Sequence, residues 1–114
     1  MALDLVIRGG TVATADKTLR ADVGIEAERV AAIGANLSGK KTIDASGKLV
    51  LPGGVDSHCH IEQLSGMGVM AADDFYSATV SAAHGGTTTV IPFCAQHRGD
   101  DLTKVLKDYH ERAK

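Results

Sequence analysis

The run Leu49-Val50-Leu51-Pro52-Gly53-Gly54-Val55-Asp56-Ser57-His58-Cys59-His60-Ile61 constrains this chain more than any other stretch. Pro52-Gly53-Gly54 is a break, because proline withholds a backbone donor and paired glycines interrupt regular structure. Short apolar runs precede it, and alternating strand and helix patterns follow it. Val55 to Ile61 reads as a strand, in which side chains alternate between two faces. Asp56, His58 and His60 then share one face, and Val55, Ser57, Cys59 and Ile61 share the other. Two imidazoles projecting in parallel from one rigid strand suit a divalent metal such as zinc. The plainer alternative is a pair of strand histidines satisfied by hydrogen bonds.

Upstream of the break, the pattern predicts five or six short strands and no helix. Leu3 to Arg8 is apolar and β-branched, Gly9-Gly10 is expected to stop it, and Thr11 to Thr14 resumes it. Ala15 to Leu19 reads as a turn, Asp22 to Glu26 as a strand, and Arg29 to Ile33 as its hairpin partner. The link Ala27-Glu28 lacks the Asn-Gly or Asp-Gly that two-residue hairpin turns prefer. The hairpin is therefore predicted without its turn type. Gly34 to Lys41 reads as a loop. Thr42 to Asp44 and Lys48 to Val50 read as short strands around a turn at Ala45-Ser46-Gly47. So few short strands bury little apolar surface and should need a neighbouring sheet or domain.

Downstream, Glu62 to Ala72 reads as a loop carrying apolar Leu64, Met67, Val69 and Met70. Asp73-Asp74 can cap a helix from about Phe75 to His84, with Gly85 or Gly86 as its stop. Thr87 to Cys94 is a strand rich in β-branched residues. Leu102, Val105, Leu106 and Tyr109 mark a second amphipathic helix running to the end of the chain. Strand, helix, strand, helix implies parallel strands with right-handed crossovers. A two-stranded parallel sheet leaves both outer edges unpaired, so the pattern reads as the start of a larger α/β barrel.

Composition narrows the function classes. The 114 residues carry a net charge of -2 with no basic patch, which argues against nucleic acid or a membrane surface as partner. Aromatics at 4% are too few for base stacking. No apolar run approaches a transmembrane length, and Met1-Ala2-Leu3-Asp4 has an acid where a signal peptide carries positive charge. A cytoplasmic location is expected. Cys59 and Cys94 are read as free thiols.

At Pro52-Gly53-Gly54-Val55-Asp56-Ser57-His58-Cys59-His60 the chain resembles the amidohydrolase superfamily, within it the D-hydantoinase and dihydropyrimidinase family. Asp4 to Val12, Ile43 to Lys48, Ala72 to Ser77 and Ala83 to Thr88 carry the resemblance further, in order and at family-like spacing. The resemblance implies an α/β fold, with residues 1–53 as a small N-terminal β-sandwich portion and 54–114 as the first two βα units of a TIM barrel. It implies that His58 and His60 bind the more buried of two metal ions, zinc being the expected metal, at the end of the first barrel strand. A metal-bound hydroxide would attack the ring amide of a hydantoin or dihydropyrimidine. The bridging lysine, two further histidines and an aspartate that the family also uses would lie on later strands. No catalytic acid or base is therefore expected within these residues, and the chain by itself should be inert. Leu64, Met67, Val69 and Met70 would form a substrate-pocket lid, or equally an oligomer interface. A homo-oligomer, dimer or tetramer, is implied for the whole enzyme. Ser57-His58-Cys59-His60 departs from the commoner Pro-His-Thr-His version, so a dihydroorotase- or allantoinase-like branch stays open. So does a non-enzymatic assembly protein related to dihydropyrimidinase, although retention of both histidines counts against it.

The remaining candidates have plainer readings. Asp56 could lie behind the metal ligands or pair with a basic group on the barrel floor. Cys59 faces away and packs. His84 sits at a helix C-terminus, where a cation is favoured. His97 is read as a surface-loop residue with a possible substrate contact, and His110 as solvated.

Overall fold

The computed structural model describes residues 3–114, so Met1 and Ala2 of the signal-peptide reading lie outside it. The chain divides into two units between Pro52 and Gly53.

The first unit is a five-stranded sheet. Its strands are β1 (Leu3–Ala13), β2 (Thr18–Glu26), β3 (Arg29–Gly34), β4 (Gly39–Asp44) and β5 (Leu49–Val50). The order is β3-β2-β1-β4, and β5 also pairs with β1. β2 runs antiparallel to both β1 and β3, whereas β4 and β5 lie parallel to β1. Val6, Val12, Ala21, Val23 and Ala45 are its buried apolar residues.

Three predicted boundaries move, each for a local reason. Gly9-Gly10 does not stop the first strand. It forms a bulge, with the register against β2 shifting between Ile7 and Gly10 and Gly9 at φ +73°. A left-handed glycine is the usual way to place an extra residue in a ladder. The Gly9 N–H leaves the ladder and donates to Asp22 Oδ1 at 2.9 Å, while Asp22 Oδ2 accepts from Leu37 N at 3.1 Å. The buried Asp22 carboxylate is thereby satisfied by two backbone donors. The turn predicted to Leu19 is shorter, since β2 already begins at Thr18. β4 begins at Gly39 inside the predicted loop, because pairing with Leu3 and Leu5 outweighs the poor strand propensity of Gly39-Lys40-Lys41. The Ala27-Glu28 turn is now defined, with φ +47° and +62°. Two consecutive left-handed residues are the type I′ pattern, here built without asparagine or glycine.

The second unit contains β6 (Gly54–Cys59), α1 (Phe75–His84), β7 (Thr87–Pro92) and α2 (Leu102–Arg112). β6 and β7 pair in parallel, as the strand–helix–strand pattern requires. β6 is shorter than predicted and ends at Cys59. β7 ends at Pro92, which cannot donate to a ladder; its last bond is made beyond the strand, from Phe93 N to Cys59 O at 2.8 Å. Asp74 caps α1. Its carboxylate accepts from Ser77 N at 2.7 Å, and its own N–H donates to Ser77 Oγ at 3.1 Å. Asp101 caps α2 through Thr103 N and Lys104 N. The Tyr109 hydroxyl donates to Ile61 O at 2.6 Å, and Arg112 donates to Glu62 O at 2.8 Å. Val55, Ile91, Tyr76 and Leu102 remain exposed. No helix among the described residues is long and apolar enough to cross a membrane.

Candidate functional site

β6 sets His58, and the residues just past its end set His60. The Asp56 carboxylate accepts the His58 N–H at 3.1 Å, tying the strand end to its own side chain. His60 lies one residue beyond the ladder, yet the two rings still meet. Their Nε2 atoms are 3.3 Å apart, with ring centroids 5.2 Å apart and planes tilted by 55°. Alternation along an extended backbone suffices for this, because it persists one residue past the last ladder bond. Cys59 projects elsewhere and is half-buried, and that burial, followed by the charge of Asp56, raises its thiol pKa.

Two further residues complete the arrangement, and the sequence reading did not single out either. Phe93 follows β7 and lies against both imidazoles, at 5.3 Å and 20° from His58 and at 5.4 Å and 42° from His60. The Cys59–Pro92 pairing at the strand ends brings it there. The available signal was an aromatic placed just past a predicted strand parallel to the histidine strand. Gln63 is buried, and its Oε1 lies 2.8 Å from His60 Nδ1. It comes back toward His60 because Glu62 between them adopts φ +49°.

The loop after His60 has structure of its own. Leu64 and Met70 form an antiparallel bridge. Ser65 N donates to Val69 O at 2.8 Å, Gly68 N to Ser65 O at 2.9 Å, and Ala71 N to Gln63 O at 2.8 Å. Leu64, Met67, Val69 and Met70 line an open, largely apolar cavity of about 590 Å³ that also reaches His60, Gln63, Phe93 and His97. All four are more than half exposed, Met67 the most at 88%. His97 thus borders the cavity, its N–H donating to Asp100 Oδ2 at 2.9 Å. His84 and His110 are exposed on α1 and α2. Among the described residues, no three His, Cys, Asp or Glu side chains are close enough to hold a metal ion together. His58 and His60 therefore form a pair of donors and not a closed site.

Residues 41–112 match the model of the Amidohydrolase family. The chain is 46% identical over 105 residues to a D-hydantoinase from Ralstonia pickettii, covering 91% of this chain and 23% of that one. It is 40% identical over 116 residues to a rat dihydropyrimidinase, covering 96% of this chain and 22% of that one. Among solved structures, D-hydantoinase from Bacillus sp. AR9 superposes with a TM-score of 0.89 at 47% identity, over 96% of this chain and 24% of that chain. A looser likeness, with a TM-score of 0.58 and 33% identity, is to an N-acyl-D-glutamate deacylase from Bordetella bronchiseptica. It covers 79% of this chain and 18% of that one, and that structure is complexed with zinc and a phosphonate mimic of a tetrahedral intermediate. The chain thus spans about a quarter of the length of the relatives it matches.

Proposed function

This chain belongs to the amidohydrolase family, and on that premise we propose that it is the N-terminal part of a metal-dependent hydrolase that opens the ring amide of hydantoins or dihydropyrimidines. In this reading residues 1–53 belong to a β-sandwich and 54–114 begin a TIM barrel. The exposed apolar residues and the unpaired edges of the β6–β7 sheet are what such a beginning would present to the rest of a barrel.

One observation carries the reading, the 3.3 Å between the Nε2 atoms of His58 and His60. Two imidazole nitrogens on one tetrahedral zinc, each about 2.0–2.1 Å from it, lie roughly 3.3 Å apart. Without the ion, 3.3 Å also admits a hydrogen bond from one ring to the other, and zinc would replace that bond by taking both lone pairs. The Gln63 contact leaves His60 Nε2 free to act as that donor. The residues fit a zinc ion as two of its ligands, and His58 and His60 would hold it. When bound, such an ion polarises an amide carbonyl and makes a water nucleophilic near neutral pH.

The chain's own side chains do the rest. Phe93 lies against both imidazoles and braces their orientation. Leu64, Met67, Val69 and Met70 supply an apolar wall for the ring's substituent. By themselves the 114 residues provide two donors, fewer than the three protein ligands a catalytic zinc site usually has, so they are inert. Location in the cytoplasm and assembly into a homo-oligomer accompany this reading.

A chimera tests it. This chain replaces the matching part of the Ralstonia pickettii D-hydantoinase. Ring opening of hydantoin that is lost on His60→Ala supports the proposal. A folded, metal-loaded chimera that leaves hydantoin and dihydrouracil untouched contradicts it.

A further inference from the structure

We propose that Gln63 is a positioning residue for His60, holding its imidazole as the Nδ1–H tautomer so that the Nε2 lone pair faces His58. The inference rests on the metal-binding reading above and extends it to a residue outside the histidine motif.

The tautomer follows from which end of the Gln63 amide meets the ring. Gln63 Oε1 lies 2.8 Å from His60 Nδ1, and a carbonyl oxygen can only accept. Nδ1 therefore carries the proton of the neutral ring, and Nε2 keeps its lone pair. Gln63 is only 9% exposed, and its Nε2 is buried without a partner among the described residues. A buried donor left unpaired is a cost that methionine or leucine would avoid while filling the same space. What glutamine offers there, and an apolar residue does not, is the acceptor for His60.

The support around Gln63 is rigid. Tyr109 and Arg112 of α2 hold the carbonyls of Ile61 and Glu62 at 2.6 and 2.8 Å. Glu62 N donates to Asp73 O at 3.1 Å, and Ala71 N to Gln63 O at 2.8 Å. The strained φ of +49° at Glu62 is thus held from both sides, and it is the turn that returns Gln63 to His60. A buried acceptor on a clamped backbone is how a protein fixes the orientation of a histidine that must present its other nitrogen.

Two-bond proton–nitrogen NMR on the histidine-labelled chain reads the tautomer directly, and a zinc titration of the same samples reads affinity. The wild-type chain is expected to show His60 as Nδ1–H. Gln63→Leu should move it toward Nε2–H, the form favoured by imidazole in water, and weaken zinc binding by about 10- to 100-fold. Gln63→Glu, which keeps an acceptor, should restore both. Unchanged amide shifts in β6 and β7 exclude misfolding as the cause, and the wild-type tautomer is decisive without any variant. His60 as Nε2–H in the wild-type chain, or Gln63→Leu binding zinc as tightly as wild type, overturns the inference and leaves the metal reading standing. Nδ1–H at His60 in a folded chimera with the Ralstonia pickettii D-hydantoinase that takes up no metal overturns the metal reading instead.

Discussion

Phe93 stacks on His58 with 5.3 Å between ring centroids and 20° between planes, and it lies 5.4 Å from His60 at a steeper angle. One aromatic from the end of β7 therefore braces both imidazoles presented at the end of β6. Aromatic pairs of this kind contribute about 0.5–1.5 kcal/mol beyond burial. Phe93→Ala should weaken zinc binding by roughly two- to tenfold. Phe93→Leu should lose about as much, because it restores bulk without a ring face. A zinc titration of the three proteins checks this, and equal affinities would remove Phe93 from the site.

The Pro-Gly-Gly break has a steric reason that a substitution exposes. A Cβ on Gly53 would lie 2.0 Å from Thr88 Oγ1 and 2.7 Å from Thr88 Cβ. Rotating Thr88 moves the first contact and leaves the second. Gly53→Ala should therefore destabilise the second unit by about 1–3 kcal/mol. Thr88→Ala in that background should recover only part, since its Cβ stays. Urea unfolding followed by the α1 and α2 signals measures both.

The β2–β3 turn holds Ala27 and Glu28 at φ +47° and +62°. Left-handed backbone costs ordinary L-residues about 1–2 kcal/mol each, whereas Asn-Gly reaches it readily. Ala27→Asn with Glu28→Gly should stabilise the first unit by roughly 1 kcal/mol after the added freedom of glycine in the unfolded chain is set against it. The Asp4 Oδ2 bond to the residue 27 N–H at 2.9 Å uses backbone only and should survive. An unchanged or lower unfolding midpoint would show that the turn is not strained.

Asp74 gives a pH dependence with a definite sign. Its carboxyl is held below the ordinary 3.8 chiefly by the backbone N–H of Ser77, and then by the Ser77 hydroxyl. A pKa depressed by folding stabilises fully above the unfolded value, and that contribution is lost as pH falls through the folded value. Hydrogen exchange in the first turn of α1 should therefore stay slow, relative to its intrinsic rate, down to about pH 4 and lose protection below it. Asp74→Asn, which keeps a capping oxygen without the charge, should flatten that dependence.

How much of this was legible beforehand depends on which interactions are local. His58 and His60 followed from side-chain alternation and the flanking glycines, and their Nε2 atoms do meet even though the strand stops at Cys59. α1 has the ends its sequence predicts because Asp74 and the Gly85-Gly86 pair are local signals. Gln63 and Phe93 were not legible. One depends on a left-handed Glu62 that no glycine announces, and the other on the two strand ends coming level at Cys59 and Pro92. Gly9-Gly10 reads as a stop in sequence and becomes a bulge only because Asp22, thirteen residues on, accepts the freed N–H.

The account turns on His58 and His60 acting together on one ion. Zinc titration of the histidine-labelled chain, followed through the ring nitrogens of all five histidines, tests this most directly. The predicted result is that the Nε2 resonances of His58 and His60 move together to a 1:1 end point while His84, His97 and His110 stay in place, and that His58→Ala and His60→Ala each abolish the response. Zinc that moves only one of the pair, or moves the exposed histidines equally, would contradict it.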